Sequence, residues 1–345
     1  MAFAAAACDQ GHQSDQPTAG PYVHLVATNV GSFNGSPEKK LPPDGAVLLS
    51  FDRLLLPSTV IRQSIFIIDA FGDALSPTVQ YDPVTRIVTL GPPTQGEWLV
   101  RSQPYKLVLA IPNGNEDTNG VRAIDRAPLD PTSQRVISFF VSDTPEGLPN
   151  TPRYDFCTDV LPIFQRHCSA SQCHGSGADG RGLRAATGLV LDTPVGVEAT
   201  AIGHTSRIVA VTSNTGPRGR PRAPGRQFGV DVPLVDPRAP GNSWLLYKLL
   251  IAPPPPPGTP ASHRLKCDGS PGTAPQGHVP PPVPIADLSD DERARLSEFV
   301  GGNVMPYPPN PGTGDRSENL SFDELQRISG WIDQGAVLQK CACEK

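Results

Sequence analysis

Long apolar runs are missing from this sequence. No stretch of the 345 residues approaches the roughly 18 to 20 consecutive apolar residues that cross a bilayer, so we expect no integral membrane protein.

An excess of basic charge is missing too. Residues 1–150 carry ten Lys and Arg against fifteen Asp and Glu, and residues 151–345 carry nineteen of each kind. Neither half is typical of a nucleic-acid-binding surface, and we expect no nucleic-acid partner.

Methionine and aromatic residues are scarce, whereas proline and glycine are abundant. The chain has two Met and 6% aromatic residues, against 41 Pro and 33 Gly. This composition predicts ordered domains with long loops. A chain of this length can form two domains that each bury a core, so neither needs disulfides merely to fold.

The N-terminal segment, residues 1–20, resembles an export signal of bacterial lipoproteins. Small residues precede a cysteine in "MAFAAAACDQ", which makes Cys8 the lipidation candidate. The alternative is an ordinary flexible, Ala-rich end, because a basic region and a full apolar region are lacking. With a lipid on Cys8 the chain would attach to a membrane surface.

Residues 21–143 read as short strands separated by turn residues. Apolar and β-branched runs bounded by Pro, Gly and Asp predict an antiparallel β-sandwich, and seven runs fit an immunoglobulin-like domain. The runs are "YVHLVATN", "AVLLSFD", "SIFIID", "TVQYD", "RIVTL", "YKLVLAI" and "VISFFV". The blocks "PPDGAVLLSF", "VQYDPVTRIVTL" and "YKLVL" resemble the bacterial Ig-like domain of the SbsA type. That resemblance implies an Ig-like fold. Because these residues offer no catalytic constellation, we expect the domain to be a spacer or a docking surface.

A proline-containing linker, residues 144–153, leads into a second region at residues 154–345. Val160, Ile163 and Phe164 recur at helical spacing, which predicts a short helix running into Cys168. A second helix is predicted near Ser243 in "PGNSWLLYKLL".

Two cysteines and a histidine follow the first of these helices in "HCSASQCHGSG". Cys168, Cys173 and the adjacent His174 fit a c-type haem site, in which two thiols bond the porphyrin and the histidine binds its iron. A zinc site would need four ligands, usually as two separated pairs, and the sequence offers no second Cys or His pair of suitable spacing. A disulfide between Cys168 and Cys173 gives His174 no role. Four residues separate the cysteines here, whereas two are usual.

Met305 is the candidate for the second axial ligand. It is the only methionine besides Met1, and thioether ligands stabilise ferrous haem. A strong terminal helix follows it, because Ser321 and Glu324 form a capping box and Gly335 supplies the stop signal.

Four blocks between residues 154 and 337 resemble the cytochrome c domains of planctomycetes and myxobacteria. They are "LPIFQRHCSASQCHG", "LVLDTP", "PGNSWLLYKL" and "MPYPPNPGTGDRSENLSFDELQRISGWIDQGA". The resemblance implies one haem c, thioether bonds at Cys168 and Cys173, and axial ligation by His174 and Met305. It also implies a mainly α cytochrome c-like domain, interrupted by a Pro- and Arg-rich insertion at about residues 214–285.

With Cys8, Cys168 and Cys173 set aside, four cysteines remain as disulfide candidates. Haem attachment and disulfides both belong to compartments outside the bacterial cytoplasm, so we expect an exported, periplasmic or cell-surface protein. Cys341 and Cys343 are too close to pair with each other, and each is expected to pair with Cys157 or Cys267.

The function predicted from these features is one-electron transfer to redox partner proteins, without enzymatic turnover. One alternative is a non-haem, disulfide-bonded module for binding or adhesion at the cell surface. A further alternative is a haem peroxidase-like enzyme with an open iron site.

Overall fold

The computed structural model describes residues 20–33, 38–93, 96–112, 119–145, 153–169, 173–176, 188–204, 232–256, 280–300, 305–306 and 319–341. Up to residue 145 the described chain is all-β, and from residue 153 it is helical. Cys8, Cys267, Cys343 and much of the insertion expected at residues 214–285 lie outside the described residues.

Seven strands correspond to the seven apolar runs of the sequence. They are β1 (Leu25–Thr28), β2 (Val47–Phe51), β3 (Ile65–Ile68), β4 (Thr78–Asp82), β5 (Ile87–Gly91), β6 (Pro104–Leu109) and β7 (Val136–Phe140). The strands pair antiparallel in two sheets, ordered β1-β2-β5-β4 and β3-β6-β7. With the strands lettered A to G this is the order ABED and CFG of a constant-type immunoglobulin domain. The predicted Ig-like sandwich is confirmed.

Side-chain alternation explains how the two sheets form one core. In β7, Ile137 and Phe139 are fully buried, while Val136, Ser138 and Phe140 are exposed. Because successive side chains of a strand point to opposite faces, one face of each sheet packs inward and the other faces away from the core.

The turn between β4 and β5 shows why the sequence "YDPVTR" predicts a hairpin. The Asp82 carboxylate accepts hydrogen bonds from the Val84 amide at 3.0 Å and the Thr85 hydroxyl at 2.8 Å. Arg86 takes a left-handed conformation with φ of 57° before β5 begins. Short polar side chains that bind their own backbone stabilise such turns.

The described part of the second region contains five α-helices. They are α1 (Leu161–His167), α2 (Pro194–Thr200), α3 (Trp244–Leu250), α4 (Asp290–Val300) and α5 (Phe322–Asp333). A π-helical turn (Phe156–Val160) precedes α1, and a 3-10 turn (Pro240–Asn242) precedes α3. The sequence predicted α1, α3 and α5. Within the described ranges no helix is long and apolar enough to span a membrane.

The start and end of α5 follow the sequence signals closely. The Ser321 hydroxyl accepts from the Glu324 amide at 3.3 Å, and the Glu324 carboxylate accepts from the Ser321 amide at 2.7 Å. Gly335 has φ of 101° just after the helix, a conformation that glycine adopts without a side-chain clash. The predicted capping box is confirmed.

Aromatic side chains fill the centre of the helical region. The Phe156 and Trp331 rings lie 5.2 Å apart, and Phe164 meets Trp331 edge-on at 6.4 Å. Trp244 and Tyr247 of α3 are also buried. The helices thus enclose a packed aromatic core. The arrangement of these helices does not show the cytochrome c-like domain that the resemblance implied.

The sandwich and the helices share part of this core. Leu54, Leu56, Val84 and Ile124, which lie in loops of the sandwich, belong to the hydrophobic cluster of the helical region. The 3-10 turn before α3 packs against β4, where an added Cβ on Gly241 would lie 2.8 Å from a backbone oxygen. The helices therefore dock on one end of the sandwich, against its loops.

Candidate functional site

The C-terminus of α1 positions the first cysteine. The Cys168 amide and the Ser169 hydroxyl both donate to the carbonyl of Phe164, each at 2.9 Å. Cys168 is 9% exposed and belongs to the hydrophobic core. Burial in this apolar setting, together with the nearby Cys173, raises the pKa of the Cys168 thiol to about 12. Cys168 is therefore a protonated thiol at neutral pH.

A backbone hydrogen bond brings Cys173 and His174 back to Cys168. The His174 amide donates to the Cys168 carbonyl at 2.9 Å, and the Leu191 amide donates to the His174 carbonyl at 2.8 Å. Cys173 and His174 are partly buried. Cys168 and Cys173 are free thiols. The three residues that the sequence grouped therefore lie near one another, between the end of α1 and the segment around Leu191.

Met305 approaches the same hydrophobic core from another part of the chain. Its side chain is partly buried and packs against the cluster that contains Cys168. The Met305–Pro306 peptide bond is cis. The structure thus brings Met305 into the same cluster as Cys168.

His167, directly before Cys168, has a role that sequence reasoning missed. Its Nε2 lies 3.2 Å from a carboxylate oxygen of Glu324, and both side chains are buried. The pair joins the end of α1 to the start of α5. No sequence signal predicts it, because 157 positions separate the two residues.

A disulfide lies at the opposite end of the same helical segment. Cys157 and Cys341 are bonded, with their Cα atoms 5.5 Å apart and 184 positions apart in sequence. This is one of the pairings that the sequence left open for Cys341. It ties the C-terminal tail to the π-helical turn before α1. Cys267 and Cys343 lie outside the described residues.

Lys248 is a buried basic residue on α3 that the sequence did not single out. Burial lowers the pKa of its ammonium group from 10.5 to about 8, because desolvation disfavours the charged form. It lies on a helix that is buried along its whole length. The only sequence signal of its burial is that this lysine stands within the apolar run "WLLYKLL".

The prediction of a haem c is wrong. Within the described ranges, which include Cys168, Cys173 and His174, no three His, Cys, Asp or Glu side chains lie together as a site for a metal ion. Cys168 is instead part of a core that Phe164 and neighbouring aromatic residues fill. We therefore assign no haem to this loop or to Met305, and the electron-carrier and peroxidase interpretations, which require one, are given up.

Comparisons with known proteins return only distant structural similarity. No protein-family model and no curated protein matches the chain. It is similar to native E. coli alpha-2-macroglobulin (TM-score 0.25, 14% identity, covering 36% of this chain and 6% of that one). It is also similar to the bacterial S-layer protein SbsC (TM-score 0.24, 12% identity, covering 40% and 16%) and to the N-terminal part of SbsC (TM-score 0.24, 12% identity, covering 40% and 27%).

The chain spans well under a third of the length of each of these structures. At such TM-scores the similarity carries no argument about function. The Ig-like assignment rests on the strand order of the two sheets, and what the chain does has to be inferred from its own surfaces.

Proposed function

We propose that this chain is an exported, disulfide-bonded, non-haem module that binds a partner protein through the outer face of its three-stranded sheet. The observation that carries the proposal is that this face, formed by β3, β6 and β7, is apolar and open to solvent. We call it the β3-β6-β7 face.

Cross-strand register lines up the apolar side chains of this face. Phe66 pairs with Val108, and Val108 pairs with Val136, which makes one continuous apolar row. Pro104 pairs with Phe140 at the far side of the sheet. Val136 and Phe140 remain 46% and 44% exposed. Apolar surface of this kind is typical of a site that a partner covers.

One basic residue lies within the apolar face. Lys106 is exposed and pairs with Ile68 on one side and Ser138 on the other. A complementary partner would offer an apolar surface with a carboxylate opposite Lys106, since charge complementarity fixes orientation and speeds association. We therefore infer as the occupant an apolar protein surface that carries a carboxylate opposite Lys106.

The position of the helices supports this assignment. They pack on one end of the sandwich, against loop residues such as Leu54 and Val84 and against Tyr81 of β4. Among the residues that the structure describes, that arrangement leaves the β3-β6-β7 face uncovered by the helices. The helical region would then help to orient the sandwich.

The disulfide supports export, because such bonds form and persist in oxidising compartments. A lipid on Cys8 would hold the module at a membrane surface. We propose binding rather than catalysis as its activity.

The test measures saturable binding of the labelled, purified chain to intact cells of its source. The face variant, Val136→Asp with Phe140→Asp, is expected to bind at least about tenfold more weakly, equivalent to 1.4 kcal/mol. Val195→Asp is the matched control, because Val195 is 67% exposed on α2, away from the sandwich. Lys106→Glu should weaken binding as well. Equal binding by face and control variants, or no saturable binding by the parent chain, would refute the proposal.

A further inference from the structure

Two free thiols lie at one end of α1, while the thiols at the other end of the same segment are already bonded. Cys157, in the π-helical turn before α1, is joined to Cys341. Cys168 and Cys173, at the end of α1, are both thiols. A compartment that oxidises the first pair also presents the second pair with disulfide donors.

A backbone hydrogen bond brings the second pair of cysteines together. The hydrogen bond from the His174 amide to the Cys168 carbonyl, at 2.9 Å, closes the loop and places Cys173 beside Cys168. Burial raises the pKa of the Cys168 thiol, and the nearby Cys173 adds to that rise.

Both sides of the loop are fixed to neighbouring structure. On one side Ser169 donates to the Phe164 carbonyl at 2.9 Å. On the other side the Ser176 amide donates to the Asp192 carboxylate at 2.7 Å. The two thiols are thus held on an ordered frame, which lowers the entropic cost of joining them.

The two thiols differ in their exposure to solvent. Cys168 is 9% exposed, whereas Cys173 is partly open to solvent. An external disulfide therefore meets the sulfur of Cys173 first. The buried sulfur of Cys168 is reached only by a group already attached beside it.

We propose that Cys168 and Cys173 form a thiol–disulfide exchange site, with Cys173 as the entry thiol and Cys168 as the resolving thiol. The Cys173 thiolate attacks a donor disulfide R–S–S–R, forming a mixed disulfide and releasing RS⁻. Cys168 then loses its proton and attacks the Cys173 sulfur, which releases the second RS⁻. The sum is two protein thiols plus R–S–S–R giving one protein disulfide and two RSH. The donor belongs to the class of small or protein disulfides.

The first experiment maps the cysteines of the full chain after export into an oxidising compartment. Alkylation without reduction, followed by trypsin, releases residues 167–181, which contain both Cys168 and Cys173. We expect this peptide to carry no alkyl group and to be lighter by two hydrogens. The peptide with Cys157, joined to the one with Cys341, shows in the same digest that the sample was oxidised.

The second experiment tests the order of the two steps with glutathione disulfide as the donor. Cys168→Ser is expected to accumulate a mixed disulfide at Cys173. Cys173→Ser should form one at least about tenfold more slowly, because a buried thiol is rarely ionised. Two alkylated thiols beside an intact Cys157–Cys341 bond, or any other adduct on residues 167–181, would overturn the proposal. Equal rates for the two variants would overturn the assigned order.

Discussion

Arg53, in the loop after β2, donates from Nε to the Glu292 carboxylate of α4 at 2.9 Å, across 239 positions of the sequence. Its Nη2 also bonds the Asp125 carboxylate at 2.7 Å. The amide of Leu54 donates to the second oxygen of Glu292 at 3.0 Å. These charged side chains are all buried, and they join the sandwich to the helical region. The relative position of the two regions thus depends on a compensated charge network.

Arg53→Ala is expected to lower the free energy of unfolding by about 3–5 kcal/mol, because it removes the guanidinium that bonds the buried carboxylates of Glu292 and Asp125. Chemical denaturation measures this loss. The matched control is Arg101→Ala, since Arg101 forms an exposed ion pair with Glu97 and its removal should leave the midpoint unchanged. The same midpoint for the Arg53 variant and the parent chain would contradict the network's role.

Gly241→Ala is expected to weaken the contact between the sandwich and the helices. The added Cβ would lie 2.8 Å from the backbone oxygen of Tyr81, closer than real Cβ contacts come. We expect a loss of about 1–3 kcal/mol, the range found for overpacked sites. The measurement is thermal unfolding monitored by near-ultraviolet circular dichroism. A melting temperature unchanged by this substitution would show that the contact is looser than described.

Cys341→Ser removes the bond to Cys157 and is expected to cost about 2–4 kcal/mol, because the unfolded chain regains the freedom of a long loop. Denaturant unfolding of the oxidised parent and the variant measures the difference. Under reducing conditions the two should become nearly equal, which provides the internal control. A difference that persists after reduction would assign the loss to packing at Cys341 instead.

The lowered pKa of Lys248 predicts that the free energy of unfolding depends on pH. The folded state releases its proton near pH 8, whereas an unperturbed lysine keeps its proton up to about 10.5. Between these values the unfolded state binds more protons, so the stability contributed by this group increases as the pH rises.

Lys248→Met lacks this titration and serves as the reference. The free energy of unfolding of the parent, relative to the variant, should increase by about 3 kcal/mol between pH 8 and 10.5, at 1.36 kcal/mol per unit of pKa. Denaturant titrations at several pH values measure it. Parallel curves for the two proteins would contradict the lowered pKa.

Local signals in the sequence predicted much of the fold. Each apolar run of the first region became a strand, because alternation and turn residues act over a few positions. The capping box of Ser321 and Glu324 likewise defined the start of α5. The start of α4 was missed, although Ser289 accepts from the Glu292 amide at 3.1 Å and three acidic residues follow it.

Long-range relationships could not be predicted from the sequence. The contacts of Arg53 with Glu292 and of His167 with Glu324 join residues that are remote along the chain, and no periodicity connects them. The grouping of Cys168, Cys173 and His174 was predicted from their spacing alone. That spacing could not show that Cys168 forms part of a packed aromatic core, and the haem prediction failed at this point.

The most direct test of the account is the visible absorption spectrum of the exported, purified chain, produced in cells that also express haem-attachment machinery and then reduced with dithionite. The account predicts a colourless protein without bands in the visible range. Sharp bands of a reduced porphyrin that remain with the chain after denaturation would contradict it.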